Sequence, residues 1–62
     1  MARATIVADV ASALTSGDKE LELAGTFAAS ELRAPQLVAP LIKLMDDPAT
    51  RLRNRAGDAL GA

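Results

Sequence analysis

The side chains best suited to chemistry in this sequence are three arginines at alternate positions, Arg51, Arg53 and Arg55. At about 100° per helical residue, Arg51 and Arg55 lie one turn apart on the same side, whereas Arg53 points to a different flank. These guanidinium groups could contact an acidic protein surface or the phosphates of a nucleic acid. They could equally pair within the chain, Arg51 with Asp47, Arg55 with Asp58 and Arg53 with a turn carboxylate.

Adjacent carboxylates at Asp46 and Asp47 are the second candidate for chemistry. Neighbouring residues at a helix start seldom converge on one metal ion, so we expect them to cap a helix rather than to bind metal. The chain has no His and no Cys, which are the commonest acid-base and nucleophilic side chains and the usual zinc ligands. Four short helices can also hardly enclose a cleft. We therefore expect no enzymatic activity and no metal or cofactor.

Length and composition predict one small domain that spans residues 1–62. Half of the 62 residues are hydrophobic, and seven Lys or Arg stand against eight Asp or Glu. A core of this size rarely contributes more than about 3–5 kcal/mol to the stability of the fold. Because the chain has no disulfide and no usual zinc ligands, association with another chain is the remaining source of added stability. The net charge of −1 and the lack of Trp and Tyr argue against a dedicated nucleic-acid binder. No apolar run approaches the about 20 residues of a membrane span, so we expect a soluble, cytoplasmic protein.

Turn signals divide the chain into four amphipathic segments. Asp18 is the expected N-cap of the second helix, and Asp47 with Pro48 is the expected start of the fourth. Pro40 removes one backbone hydrogen bond and should bend the start of the third helix, and Gly61 should end the fourth. The predicted helices cover about residues 4–15, 19–33, 35–45 and 48–60.

Each predicted helix has an apolar face. Two mid-helix glycines, Gly25 and Gly57, predict close approach of neighbouring helices, because each otherwise costs about 1 kcal/mol relative to Ala. On the third helix, the apolar residues cover nearly half of the circumference, which is more than one neighbour requires. The residues expected to pack are Ile6, Val7, Val10 and Leu14 on the first helix; Leu21, Ala24, Ala28 and Leu32 on the second, with a separate stripe of Leu23 and Phe27; Leu37, Val38, Leu41, Ile42, Leu44 and Met45 on the third; and Leu52, Ala56, Ala59 and Leu60 on the fourth.

The chain also repeats itself, because residues 21–32 and 49–60 superpose at an offset of 28. The segment from Pro35 to Gly61, and above all LVAPLIKLMDDPATRLRNRAGDALG, resembles a HEAT repeat, close to the short HEAT-like type named after phycobilisome lyases. The matching features are the Pro-bent first helix, Asp-Asp-Pro at the turn, Leu52-Arg53, and small residues that pack the second helix. The resemblance implies a right-handed stack of antiparallel helix pairs that serves as a protein-binding scaffold. It implies no chemistry by itself, and lyase activity is not carried over.

The sequence thus predicts an all-α fold with two antiparallel helical hairpins, residues 3–33 and 34–62, stacked as a short right-handed α-solenoid. The alternative is a compact four-helix bundle. Two hairpins should leave apolar surface uncovered, so we expect a non-enzymatic protein-interaction module that forms a homo-oligomer, most simply a dimer, or docks on a larger protein as a small adaptor or inhibitor. A small nucleic-acid-associated protein that uses the arginine side of the fourth helix is the alternative function. The expected partner-binding residues are Leu23, Phe27, Leu37, Ile42 and Leu44, with Lys43, Arg51 and Arg55 as the charged rim.

Overall fold

Four α-helices make up most of the part of the chain that the computed structural model describes, residues 3–61, with side chains from residue 4 onward. They are α1 (Arg3–Leu14), α2 (Lys19–Leu32), α3 (Val38–Leu44) and α4 (Thr50–Gly61), and a 3₁₀ turn at Pro35–Leu37 leads into α3. The helices pack into a body of 34 × 23 × 15 Å. The predictions of an all-α fold and of four helices are confirmed.

Two aspartates satisfy backbone donors at the starts of α2 and α4. Asp18 accepts hydrogen bonds from the amides of Glu20 and Leu21 at 3.0 and 3.3 Å, which confirms it as the N-cap of α2. Asp47 accepts one from the amide of Ala49 at 2.8 Å, but α4 begins only at Thr50. The predicted start of the fourth helix was therefore two residues too early.

Proline determines how α3 begins. Pro40 has no amide hydrogen and cannot donate to the carbonyl of Gln36. Just before α3, the chain forms the 3₁₀ turn, which begins at Pro35 and in which the amide of Leu37 donates to the carbonyl of Ala34 at 3.0 Å. The predicted distortion at the start of this helix is thus present, as a tighter turn followed by only seven residues of α-helix.

Each helix packs against two of the others. α1 lies along α2, α2 along α4, and α3 along α4, while α1 also contacts α3 and the 3₁₀ turn. Large aliphatic side chains from α1, α3 and α4 and alanines from α2, α4 and the loop before the 3₁₀ turn fill the space between them. The buried apolar residues are Val7, Val10, Leu14, Ala29, Ala34, Leu37, Leu41, Leu44, Leu52, Ala56 and Ala59.

The buried face of α2 differs from the predicted one. Leu21 is 50% exposed and Ala24 is exposed, so the stripe of Leu21, Ala24, Ala28 and Leu32 does not form the main contact. The helix is rotated by about a quarter turn. The residues that it buries are Glu22, Gly25, Thr26 and Ala29.

Close packing against α1 explains this rotation. A Cβ atom at Gly25 would lie 3.0 Å from Cδ2 of Leu14, so the two helices approach closely only because residue 25 has no side chain. The prediction for Gly25 is confirmed. The same prediction for Gly57 was wrong, because a Cβ atom there would meet no described atom within 4 Å.

Candidate protein-binding surfaces

Three apolar side chains form an exposed row along α3. Val38, Ile42 and Met45 follow one another at spacings of four and three residues and are 43%, 53% and 44% exposed. This spacing places them on one side of the helix. We call this row the α3 ridge.

The neighbouring row of α3 supplies the core instead. We expected Leu37 and Leu44 on the exposed contact surface, but they are only 1% and 5% exposed. Leu41, which lies between them in the same row, is 3% exposed. The two rows are offset by one residue, or about 100° around the helix. Leu37 and Leu44 therefore hold the domain together and cannot contribute to an exposed patch.

A second apolar surface is a groove of about 440 Å³ between α2 and the start of α4. Its apolar lining includes Leu23, which is half-buried, and Phe27, which is 50% exposed. We call it the α2–α4 groove. The residues that line it are Lys19, Glu20, Leu23, Ala24, Phe27, Ala49, Arg51 and Leu52.

Arg55 covers part of the aromatic ring beside this groove. Its guanidinium carbon lies 4.9 Å from the centroid of Phe27, which is within the range of a cation–π contact. Arg55 Nη1 also lies 3.9 Å from Oδ2 of Asp58, as the spacing predicted, and both side chains are exposed. Solvent screens such a pair, so Arg55 remains available to a partner.

One end of the groove is closed by an ion-pair network between α2 and the turn before α4. Lys19 Nζ donates a hydrogen bond to Oδ2 of Asp47 and lies 3.8 Å from Oε1 of Glu22. This hydrogen bond lowers the pKa of Asp47 below its usual value, with help from the amide of Ala49, and it raises the pKa of Lys19. Oε1 of Glu22 is buried and accepts no hydrogen bond from the part of the chain that the structure describes.

Arg53 is committed to the turn that precedes α4. Its Nη1 donates to the carbonyls of Asp47 and Pro48 at 2.8 and 3.0 Å, and its Nη2 donates to Oγ1 of Thr50 at 3.0 Å. We expected a turn carboxylate as its partner. Its hydrogen bonds go to the turn carbonyls and Thr50 instead, although its charge also helps to lower the pKa of Asp47 in the same turn. Arg53 therefore supports the turn and faces no partner.

The remaining predicted charges are exposed. Lys43 lies on the surface of α3 beside Ile42, and Arg51 lies at the edge of the α2–α4 groove. Asp47 is engaged by Lys19, and among the described residues Arg51 has no ion-pair partner. The expected pairing of Arg51 with Asp47 was therefore wrong.

The structure thus separates the predicted site residues into two surfaces. Leu23, Phe27, Arg51 and Arg55 lie in or beside the α2–α4 groove, whereas Ile42 and Lys43 lie on α3. The prediction combined Ile42 with Leu37 and Leu44, which belong to the other row of α3, and it omitted Val38 and Met45, which share the exposed row with Ile42.

Within the described residues, no group of three or more acidic side chains could hold a metal ion, and no helix is long and apolar enough to cross a membrane. In comparisons with known proteins, no protein-family model, curated protein or solved structure matches the chain. The HEAT-like resemblance therefore rests on the residues and their spacing alone.

Proposed function

We propose that this chain is a non-catalytic protein-interaction module, built from two stacked helical hairpins in the HEAT-like manner, that pairs with a second copy through the α3 ridge. The observation that carries the proposal is the continuous exposure of Val38, Ile42 and Met45 along one side of α3. A surface row of large apolar side chains is typical of an interaction site.

The order of helix contacts supports the stacked-hairpin arrangement. α2 packs mainly along α1 and α4 rather than along α3, and α1 contacts α3. In a bundle of simple up-down connectivity, consecutive helices such as α2 and α3 would be close neighbours. Two stacked hairpins instead bring the first helix onto the third and the second onto the fourth. The hydrogen bonds of Arg53 to the turn within the second hairpin agree with the HEAT-like resemblance.

A second copy suits the ridge because the ridge is self-complementary. Val38 lies four residues before Ile42 and Met45 lies three residues after it. A two-fold axis near Ile42 would therefore place Val38 of one copy close to Met45 of the other, so that one contact covers both ridges. The broadest face of the domain, 34 × 23 Å, only matches the about 800 Å² that one partner contributes to a standard interface. We therefore expect a small interface.

The arginine side of α4 gives less support to a nucleic-acid function. Among the described residues, Arg53 binds the turn and Arg55 lies over Phe27 beside Asp58. Arg51 and Arg55 are the two arginines left accessible, and two cations with Asp58 beside them do not make a phosphate-binding track.

Sedimentation equilibrium tests the proposed dimer. At high micromolar concentration the chain should have twice its mass of 6.4 kDa. Ile42→Glu should be a monomer, because it places charge in the ridge. Ala8→Glu adds the same charge at an exposed position of α1 and should remain a dimer. A wild-type monomer at this concentration, or an Ile42→Glu variant that still dimerises, would refute the proposal.

A further inference from the structure

The α2–α4 groove is separate from the α3 ridge and shares no residue with it. Its floor is apolar, with Leu23, Ala24 and Leu52 among its residues, and the ring of Phe27 stands half exposed in it. A volume of about 440 Å³ lies within the range of sites that bind ligands. A dimer through the α3 ridge would not need this surface, so the groove requires an explanation of its own.

The α4 side of the groove is positively charged, because Arg51 and Arg55 there outnumber Asp58. At one end, the single positive charge of Lys19 faces the two carboxylates of Asp47 and Glu22. Along the α4 side, Arg51 makes no ion pair among the described residues, and the pair of Arg55 with Asp58 is long and solvent-screened. Glu20 is the one acidic residue in the lining. An occupant with acidic residues next to the α4 side would complement this arrangement.

The groove runs between two helices, and this limits the form of the occupant. The described residues contain no strand, so they offer no sheet edge to which an extended peptide could add. Grooves for proline-rich peptides are lined by several aromatic rings, whereas this one has Phe27 alone. An amphipathic helix that inserts an apolar row between α2 and α4 fits a groove bounded by two helices, and an acidic flank on that helix would also use the arginines of α4.

From this geometry we infer that the α2–α4 groove binds an amphipathic helix of another protein, whose apolar row contacts Leu23 and Phe27 and whose acidic flank pairs with Arg51 and Arg55. Phe27 is the central anchor because it is the largest apolar side chain in the groove. The Arg55 guanidinium already lies over the ring, so an acidic residue of the bound helix can reach it without rearrangement of the ring.

Selection from a displayed peptide library tests this inference. The library peptides are about 14 residues long, roughly four helical turns, with Leu fixed at helical spacing and flanking positions drawn equally from Glu, Lys and Gln. The full chain and its Ile42→Glu variant serve as separate baits. Because Ile42→Glu removes the α3 ridge, binding to this bait is independent of whether the chain dimerises.

We expect both baits to enrich peptides with Glu along one flank. A synthetic peptide of the selected sequence should bind about tenfold more tightly than its Glu-to-Lys counterpart at low salt, and the difference should shrink as salt increases. The double variant Arg51→Glu, Arg55→Glu should reverse the preference, and Phe27→Ala should abolish binding. Lys43→Glu removes a cation on α3, outside the groove, and should leave binding unchanged.

Three results would overturn the inference. They are a selection that enriches no peptide, enrichment without a preference for Glu, and binding that survives both Phe27→Ala and the double arginine variant. Loss of the wild-type dimer in Phe27→Ala would assign the groove to a second copy of the chain and would equally refute it.

Discussion

Removal of a buried charge should stabilise this domain. Glu22 lies on the buried face of α2, is 6% exposed, and its Oε1 accepts no hydrogen bond. A buried acceptor without a partner costs about 1–3 kcal/mol. We predict that Glu22→Met, which keeps a similar volume and a similar helix propensity, is more stable than the wild type.

Two favourable interactions of the carboxylate are lost in this variant. A negative charge in the first turn of a helix contributes about 0.3–1 kcal/mol. The 3.8 Å approach of Glu22 to Lys19 is long, and the lysine is solvent-exposed and already bound to Asp47, so this attraction is weak. When these losses are subtracted from the cost of burial, a net gain of about 1 kcal/mol remains.

Glu20→Met is the matched control, because Glu20 is exposed in the same helical turn. It loses the same charge near the helix start without relieving any burial, so it should lose about 0.3–1 kcal/mol. Urea unfolding at neutral pH and calorimetry measure both variants. For a domain of this size, 1 kcal/mol corresponds to about 4–8 °C in Tm. A Glu22→Met variant that is less stable than Glu20→Met would show that the buried carboxylate is satisfied, and the reasoning would fail.

Gly57→Ala should raise the free energy of unfolding, measured by urea titration, by about 0.5–1 kcal/mol. Gly25→Ala should not, because the new Cβ atom would meet Leu14. Equal gains at both positions would contradict the close approach of α1 and α2. The folded-state pKa of Asp47 lies below its ordinary 3.8, so the ionised carboxylate stabilises the fold above about pH 4, and this contribution is lost as the pH falls through the lowered value. Asp47→Asn should therefore flatten the acid side of a plot of urea midpoint against pH, and an unchanged acid side would refute the ion pair. Leu37→Ala should lower the free energy of unfolding by about 2–5 kcal/mol, so that circular dichroism shows a largely unfolded chain. A variant that remains folded would contradict the burial of Leu37 in the core.

The start of α2 was predictable because it depends on local chemistry, whereas the predicted starts of α3 and α4 were two to three residues too early. Asp18 caps α2 by bonds that span only two and three residues, and proline alters the start of α3 without help from the rest of the chain. The partner of Asp47 was not predictable in this way. An i,i+4 pair with Arg51 requires both residues to lie on one helix, but α4 starts at Thr50, so Asp47 lies outside it and meets Lys19 from α2.

The packing faces of α2 and α3 were harder to predict, for two different reasons. On α2, hydrophobicity predicted that the row beginning at Leu21 would be buried. The buried face contains Gly25 instead, because α1 and α2 pack so closely at Leu14 that no side chain fits at that position. The buried hydroxyl of Thr26 is satisfied locally, because it donates to the carbonyl of Leu23 at 2.6 Å. On α3, the two neighbouring rows are both fully apolar, so periodicity shows that one of them is surplus and cannot show which.

The amount of exposed surface does not by itself demand a partner. The accessible surface of the chain is 3955 Å², close to the about 3,800 Å² expected for a compact monomer of 6.4 kDa. The chain thus covers its core as well as other monomers of its size do. What points to binding is that four of the five large exposed apolar side chains among the described residues, all but Leu21, lie in one ridge or one groove. Ridge residues held for binding add little to the fold, so the Ile42→Glu monomer should keep the unfolding free energy of the wild-type monomer within about 0.5 kcal/mol. A larger loss of unfolding free energy would mean that the ridge belongs to the folded core, and its exposure would no longer support pairing with a second copy.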